Sequence, residues 1–223
     1  MSDETYALAH LDELERLEVD DEGLTWRPVR RHFGIGAFGV NAYTAAAAGA
    51  RVVEEHRDDA EELYFVVSGR ARFRLGEDEV EARAGTFVFA HPGTLRGAVA
   101  GEAGTTVLAM GARAGEVFEP SAWEESFAAF GYLRAGDADR GRGLLEDFAA
   151  RHPDDWVARY KLAVFETLAG RHDAALGQLA QAAALDPQAA EYAGSDEDLA
   201  PLREHPGFGS AIAGQARPGG EPA

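Results

Sequence analysis

The residues best suited to chemistry cluster in one short stretch of the chain, which contains His56, Asp58, Glu62 and Tyr64. Residues two apart on a β-strand point to the same face of a sheet, so His56 and Asp58 are predicted to share one site and Tyr64 to share the face of Glu62. Arg96 is a further candidate, because a guanidinium stays protonated and offers only hydrogen-bond donors. Arg96 is therefore expected to pair with Glu62 or Asp58, or to bind an anionic ligand such as a carboxylate or phosphate.

The composition excludes several classes of site and partner. The 223 residues include no Cys, which rules out a thiol nucleophile, a cysteine zinc site, an iron–sulfur cluster and a redox-active pair. The formal net charge of -18 disfavours a nucleic-acid partner, since binding to phosphates needs clustered Lys and Arg. No run of 18 apolar residues predicts a membrane span, and the N-terminus has neither the basic nor the apolar region of a signal sequence. We therefore expect a cytoplasmic protein.

The region from about Thr25 to Ala112 has the pattern of short strands separated by glycine turns. The segment Arg70–Leu75 alternates strictly between Arg and apolar residues, which predicts a strand with one buried face. Other segments rich in β-branched and aromatic residues are also predicted strands: Leu63–Val67, Glu79–Arg83, Thr86–Ala90 and Thr105–Ala109. Short strands at regular spacing favour an antiparallel β-barrel or jelly roll.

After Pro120 the periodicity becomes helical, and an internal repeat is visible. Four pairs of identical residues are each separated by 34 positions: Ala129 and Ala163, Gly136 and Gly170, Leu145 and Leu179, and Pro153 and Pro187. The stretch Trp156–Pro187 resembles a tetratricopeptide repeat. Two repeats are normally too few to stand alone, so they are expected to pack against the β-domain, a further helix near Asp198–Glu204, or another subunit.

The predicted fold class is thus α+β with several domains. We predict a β-barrel domain with an N-terminal extension over 1–112, a linker over 113–120, a tetratricopeptide-like helical domain over 121–214 and a disordered tail over 215–223.

Two segments carry a resemblance to the cupin superfamily. The run from His56 to Glu62, followed by Gly69, resembles the first cupin motif, and Gly85–Arg96 resembles the second. In that family three His and one Glu hold a divalent metal such as iron, manganese, nickel or zinc. By this resemblance His56 and Glu62 match metal ligands, whereas Asp58 and Arg96 replace the other two His residues.

The resemblance and the replaced ligands together imply a non-catalytic, small-ligand-binding or regulatory cupin without a cofactor. His56, Asp58, Glu62, Tyr64 and Arg96 are its predicted ligand-binding residues, and a small anion is the predicted ligand. The helical tail is expected to mediate protein contacts or self-association, and a homodimer is expected.

Two alternatives remain open. One is a metal-dependent isomerase, epimerase or dioxygenase in which His56, Asp58 and Glu62 hold iron, manganese, nickel or zinc and Arg96 orients an anionic substrate. The other is a barrel that serves only as a dimerisation scaffold, with Glu62 and Arg96 as an internal ion pair.

Overall fold

The computed structural model describes residues 6–214, and the predicted disordered tail, 215–223, lies outside them. The chain divides into two compact units, Met1–Pro120 and Ser121–Ala223. Among the described residues, the first unit contains the strands, a 3-10 turn at Leu11–Glu13 and one short α-helix, α1 (Val29–Phe33), and the second unit is helical.

Ten strands make up most of the first unit. Their bounds are β1 Leu17–Glu18, β2 Thr25–Arg27, β3 Gly39–Thr44, β4 Arg51–His56, β5 Glu61–Ser68, β6 Arg70–Leu75, β7 Asp78–Arg83, β8 Phe87–Ala90, β9 Arg96–Ala100 and β10 Thr106–Ala112. Strand β6 spans the residues that alternation predicted, and Ala71 and Phe73 are buried while the three Arg of this strand are exposed. The sequence pattern thus identified a half-buried strand correctly.

The strands pair antiparallel in two sheets. The six-stranded sheet has the order β1-β2-β3-β10-β5-β8, and the four-stranded sheet has the order β4-β9-β6-β7. Within residues 6–214 both sheets are open, so the finer prediction of a closed barrel is not confirmed. The coarser prediction, an antiparallel sheet-rich domain followed by helices, is confirmed.

The register of the six-stranded sheet defines its inner face. Tyr64 on β5 pairs with Ala109 on the central strand β10, which in turn pairs with Asn41 on β3. Directly paired residues point to the same side of a sheet, so these three side chains form one row. The ring of Tyr64 lies 5.4 Å from that of Phe73 on the four-stranded sheet, which shows that this row faces the space between the sheets.

A neighbouring row on the same face contains the acidic candidate residue. Glu62 pairs with Gly111 on one side and with Ala90 on the other. A Cβ atom added at Gly111 would lie 3.0 Å from Cγ of Glu62, so the glycine makes room for the acidic side chain.

The second unit contains four long helices and three shorter ones. Their bounds are α2 Ala122–Arg134, α3 Ala138–Arg151, α4 Trp156–Leu168, α5 His172–Leu185, α6 Gln188–Ser195, α7 Ala200–Arg203 and α8 Phe208–Ile212. Side chains of Ser121, Asp137 and Asp155 cap α2, α3 and α4 by accepting hydrogen bonds from main-chain N–H groups of the first turn. Within 6–214, none of these helices is both long and apolar enough to cross a membrane.

The predicted 34-residue spacing corresponds to two helical hairpins. Gly136 and Gly170 follow α2 and α4 with φ angles of 84° and 74°, a left-handed conformation that suits glycine at the end of a helix. Gly141 approaches the preceding helix so closely that an added Cβ would lie 2.6 Å from the main-chain oxygen of Ala129. This close approach accounts for a glycine at a position where the repeat usually has Ala.

The C-terminal helices complete the core of the second hairpin. Tyr160, Val164 and Leu179 form a buried cluster with two C-terminal leucines. Leu199 directly precedes α7, and Leu202 lies within α7. A further helix was predicted near Asp198–Glu204, and α7 forms there. The helical segment is thus present, whereas its assignment as tetratricopeptide repeats stays a prediction.

Candidate functional site

Arg96 is the centre of the candidate site, and its side chain is 0% exposed. Its Nε atom donates to Oε2 of Glu62 at 2.8 Å, and Nη2 donates to Oδ1 of Asp58. Nη1 donates to the main-chain oxygens of Thr94 and Asp58, at 3.0 and 3.2 Å. The guanidinium is therefore committed to protein acceptors, and these ion pairs and hydrogen bonds raise its pKa further against the opposing effect of burial.

Glu62 accepts hydrogen bonds from three donors on a single oxygen. In addition to Arg96, the Tyr64 hydroxyl and Nε2 of His56 donate to Oε2, the latter at 3.2 Å. Burial is the largest single influence on this carboxyl group and raises its pKa. The bonds from His56, Tyr64 and Arg96 together outweigh burial and lower the pKa of Glu62 to about 2, so the group is a carboxylate at neutral pH.

His56 ends strand β4 with both ring nitrogens engaged. Nδ1 lies 2.8 Å from the main-chain oxygen of Glu54, and Nε2 faces the Glu62 carboxylate. A carbonyl oxygen and an ionised carboxylate can only accept, so both nitrogens must carry hydrogen. The hydrogen bond to Glu62 accordingly raises the pKa of His56 above 6.5, against the lowering effect of burial. His56 is thus an imidazolium in this arrangement.

Asp58 reaches the site from a loop, which corrects one prediction. Strand β4 ends at His56, so Asp58 does not share a strand face with it. Nη2 of Arg96 and the main-chain N–H of Ala60 instead hold Oδ1 of Asp58, the latter at 2.8 Å. The other oxygen, Oδ2, lies 3.9 Å from Nε2 of His56. Asp58 does lie near His56, as predicted, but the guanidinium of Arg96 holds it there, and the periodicity of a strand does not.

Tyr64 is buried on the inner face, as its parity with Glu62 predicted. Its hydroxyl donates to Oε2 of Glu62. Burial, with the neighbouring carboxylate, raises the pKa of this phenol, so Tyr64 is a neutral hydrogen-bond donor. The structure therefore brings all five predicted site residues into one network that joins the two sheets.

The donor set is compatible with a metal ion, but the hydrogen bonds are not. His56, Asp58 and Glu62 each offer one ligand atom, and these atoms lie within 4.8 Å of one another. However, Arg96 already bonds Glu62 and Asp58, and a doubly protonated imidazole has no lone pair for a metal. The positive guanidinium would also repel a cation at this distance. As arranged, these residues do not fit a divalent metal ion.

Asn41 is a buried polar residue near the site that the sequence analysis did not single out. It is 7% exposed and occupies the same inner row as Tyr64, yet its Oδ1 atom has no hydrogen-bond partner among residues 6–214. The signal in the sequence is a lone asparagine, the only one in the chain, in the segment Gly39–Thr44. Without the register, nothing distinguishes an inward asparagine from a solvated one.

The comparisons with known proteins identify the first unit. The family model described as "Cupin domain" matches residues 43–109. This range includes His56, Asp58, Glu62, Tyr64 and Arg96. The chain therefore contains a cupin domain, as the resemblance predicted. No curated protein matches the chain.

Solved structures similar to this chain each cover about half of it. A RmlC-like cupin from Shewanella frigidimarina is 17% identical over 51% of this chain and 94% of its own, with a TM-score of 0.39. KdgF from a Halomonas species is 20% identical over 45% of this chain and 88% of its own, with a TM-score of 0.40. A sugar phosphate isomerase of the cupin superfamily from Silicibacter pomeroyi is 20% identical over 48% of this chain and 76% of its own, with a TM-score of 0.42.

Proposed function

We propose that this protein is a non-catalytic, small-molecule-binding cupin in which Arg96 replaces the metal ion. The observation that carries the proposal is the set of bonds from Arg96 to Asp58 and Glu62. These bonds neutralise the carboxylates that would otherwise attract a cation. A doubly protonated His56 and a hydrogen-bonded Tyr64 also leave the network without a free imidazole or phenolate base.

Access to the site supports ligand binding. His56, Asp58 and Glu62 keep part of their side-chain surface exposed, whereas Arg96 has none. A ligand would therefore meet the imidazolium and the carboxylates before the guanidinium. For this reason the geometry favours a binding role for His56, Asp58 and Glu62 and a positioning role for Arg96. It supports the predicted anionic ligand less, because the guanidinium is buried and already bonded to two carboxylates.

A metal-dependent enzyme is the second candidate, and one observation favours it. The three potential ligand atoms lie within 4.8 Å of one another, which is close enough for one ion. In that case a metal would have to displace Arg96 from both carboxylates. The substrate would be a small metabolite for isomerisation, epimerisation or dioxygenation.

Metal analysis separates the two candidates. The full-length protein is purified without chelator and dialysed against iron, manganese, nickel or zinc, and its metal content is measured. We expect less than stoichiometric metal, with the same content in Glu62→Ala. Stoichiometric metal that is lost in Glu62→Ala would overturn the proposal and favour the enzyme.

The helical unit is proposed to mediate protein contacts or self-association. It carries large exposed apolar side chains, including Tyr192, which is 57% exposed. The predicted homodimer has a second candidate surface, because Phe87 on the edge strand β8 is 63% exposed and this strand carries no charged residue. Sedimentation of the full chain tests both surfaces. A dimer that becomes monomeric in Tyr192→Lys or in Phe87→Lys identifies the contact, and a monomer at all concentrations contradicts self-association.

A further inference from the structure

The outer face of the four-stranded sheet, which points away from the Arg96 network, is rich in arginine. Directly paired residues point to the same side of a sheet, so the exposed residues of β6 identify the outward positions of the strands beside it. The outward charged residues of β4, β6 and β7 are five Arg and three Glu: Arg51, Arg70, Arg72, Arg74, Arg83, Glu55, Glu79 and Glu81. The chain has a formal net charge of -18, so this positive excess is a local property of one face.

An open groove of about 400 Å³ lies on this face. Its floor includes Val53 of β4 and Gly97 and Val99 of β9, and its sides carry charged side chains. Val99 pairs with Arg51 on one side and with Arg72 on the other. Neighbouring strands are about 4.8 Å apart, so the two arginines flank the same point of the floor. The volume of the groove is in the range of small-molecule sites, about 300–1,000 Å³.

Arg51 and Arg72 are not committed to protein acceptors. Within the part of the chain that the structure describes, neither side chain donates a hydrogen bond. Asp20 lies 4.0 Å from Arg51 and Glu79 lies 3.6 Å from Arg72, and both distances exceed that of a hydrogen bond. The N–H groups of a guanidinium form a planar fork that matches two oxygens of a carboxylate or phosphate. Both arginines are therefore available to an anionic group in the groove.

The carboxylates of the groove limit the charge of such a ligand. Glu55 accepts a hydrogen bond of 2.8 Å from Nη1 of Arg74, so these two charges balance each other. Glu22 and Glu79 also line the groove, and both are exposed. They would repel a second anionic group, whereas their oxygens can accept hydrogen bonds from hydroxyl groups. The lining therefore suits a molecule with one anionic group and neighbouring hydroxyl groups.

We infer that this groove is a second binding site, which takes a small hydroxylated molecule through one phosphate or carboxylate group held by Arg51 and Arg72. The inference goes beyond the proposed function and does not depend on it. Arg96 extends from the other face of the same sheet to Glu62, and the residues of that network do not line the groove.

Titration calorimetry of the full chain with three related probes tests the inference. Glucose 6-phosphate carries a phosphate group, gluconate carries a carboxylate, and glucose carries neither. We expect at least one of the two anions to bind more tightly than glucose, because only the anions can use the guanidinium forks. The tighter anion identifies the group that the groove prefers. Equal affinity for all three probes would overturn the inference.

Substitutions locate the binding. Arg51→Gln and Arg72→Gln should each weaken anion binding about tenfold, because each removes charge-assisted hydrogen bonds. Arg113→Gln is the matched control, since Arg113 is also about half exposed and lies 3.7 Å from a single carboxylate, outside the groove. Val99→Tyr fills the floor without a change of charge and should also weaken binding. An equal loss in Arg113→Gln would indicate general attraction to surface charge and would overturn the site.

Glu62→Gln separates the groove from the network between the sheets. An anion bound in the groove keeps its affinity in this variant, because Glu62 does not line the groove. Binding that is lost in Glu62→Gln but retained in Arg51→Gln and Arg72→Gln would overturn the inference and support the proposed function. If neither anion binds the wild type, the inference fails, and the proposed function still has its own test in metal analysis.

Discussion

Arg96, which is buried, and Glu62, which is partly buried, form an ion pair that connects the two sheets of the cupin unit. Arg96 belongs to β9 of the four-stranded sheet and Glu62 to β5 of the six-stranded sheet, and their Nε and Oε2 atoms are 2.8 Å apart. His56 adds a second connection, since β4 lies in the four-stranded sheet and its imidazole also faces Glu62. The bonds that make a metal unsuitable here therefore also hold the sheets together.

Removing one partner of this pair should strongly destabilise the cupin unit. Arg96→Met leaves two carboxylates without their guanidinium; loss of one member of a fully buried pair costs about 3–5 kcal/mol, and because both carboxylates are partly exposed we expect the lower end, about 3 kcal/mol. Arg74→Met is the matched control, because Arg74 and Glu55 form an equally short pair of 2.8 Å with about half of each side chain exposed. The control should lose about 1 kcal/mol or less. Urea unfolding of both variants measures the difference, and equal losses would contradict a structural role for Arg96.

Because of Glu62, the free energy of unfolding should decrease as the solution is acidified. The pKa of Glu62 is about 2 in the folded protein against 4.5 ordinarily, so its contribution is complete above pH 4.5 and is lost as the pH falls toward 2. The shift corresponds to about 3 kcal/mol. Unfolding free energies of the wild type and Glu62→Gln are compared between pH 2 and 7. The gap between them should narrow with acidification, and a constant gap would contradict the lowered pKa.

The contribution of His56 to the free energy of unfolding should change with pH in the opposite direction and be lost as the pH rises. The folded-state pKa of His56 is raised above 6.5, so its contribution is present below that pH and is lost as the pH rises through the folded value. At pH 6.5, where an ordinary imidazole is half protonated, ¹⁵N spectra should show that most rings carry hydrogen on both Nδ1 and Nε2. In Glu62→Gln the pKa of His56 should fall, because the hydrogen bond that His56 donates to the Glu62 carboxylate is the main cause of the raised pKa. A ring that is less than half protonated at pH 6.5 in the wild type would contradict the raised pKa.

Replacing the guanidinium with an imidazole should create a metal site. In Arg96→His the Asp58 and Glu62 carboxylates are released and a fourth ligand is supplied, so manganese should bind where the wild type binds little. Electron paramagnetic resonance of added Mn²⁺ measures the bound fraction. The double variant Arg96→His with Glu62→Ala is the control and should lose the gain. No gain in Arg96→His would mean that more than Arg96 prevents metal binding.

A buried ionic network should also stabilise the helical unit. Glu166 on α4 is buried and pairs with Arg142 on α3, at 3.0 Å, and with Arg171 before α5. Burial is the largest influence and raises the pKa of Glu166 above its ordinary value, and the charge of Arg142 opposes this only in part. Glu166→Gln should cost about 1–2 kcal/mol, because two partly exposed guanidinium groups would lose their common carboxylate, while the raised pKa of Glu166 means that burying its charge is itself costly. Glu197→Gln is the control, since Glu197 is almost fully exposed, and thermal unfolding compares the two.

Periodicity predicted the local structure well and the arrangement of the sheets poorly. Arg70–Leu75 alternates because one of its faces is buried, and this pattern is visible in any window of sequence. The 34-residue spacing likewise marked the glycines that end α2 and α4. Whether the strands close into a barrel depends on pairing between distant segments, and no local pattern encodes it.

The sequence by itself determined which chemical groups this protein has. It supplied His56, Asp58, Glu62, Tyr64 and Arg96, excluded cysteine chemistry, and placed a guanidinium where a metal ligand was expected. The tertiary structure decided how these groups are used. Hydrogen bonds are short and directional, so only the folded positions determine that Arg96 bonds both carboxylates, that His56 keeps two hydrogens and that Asn41 faces inward without a partner.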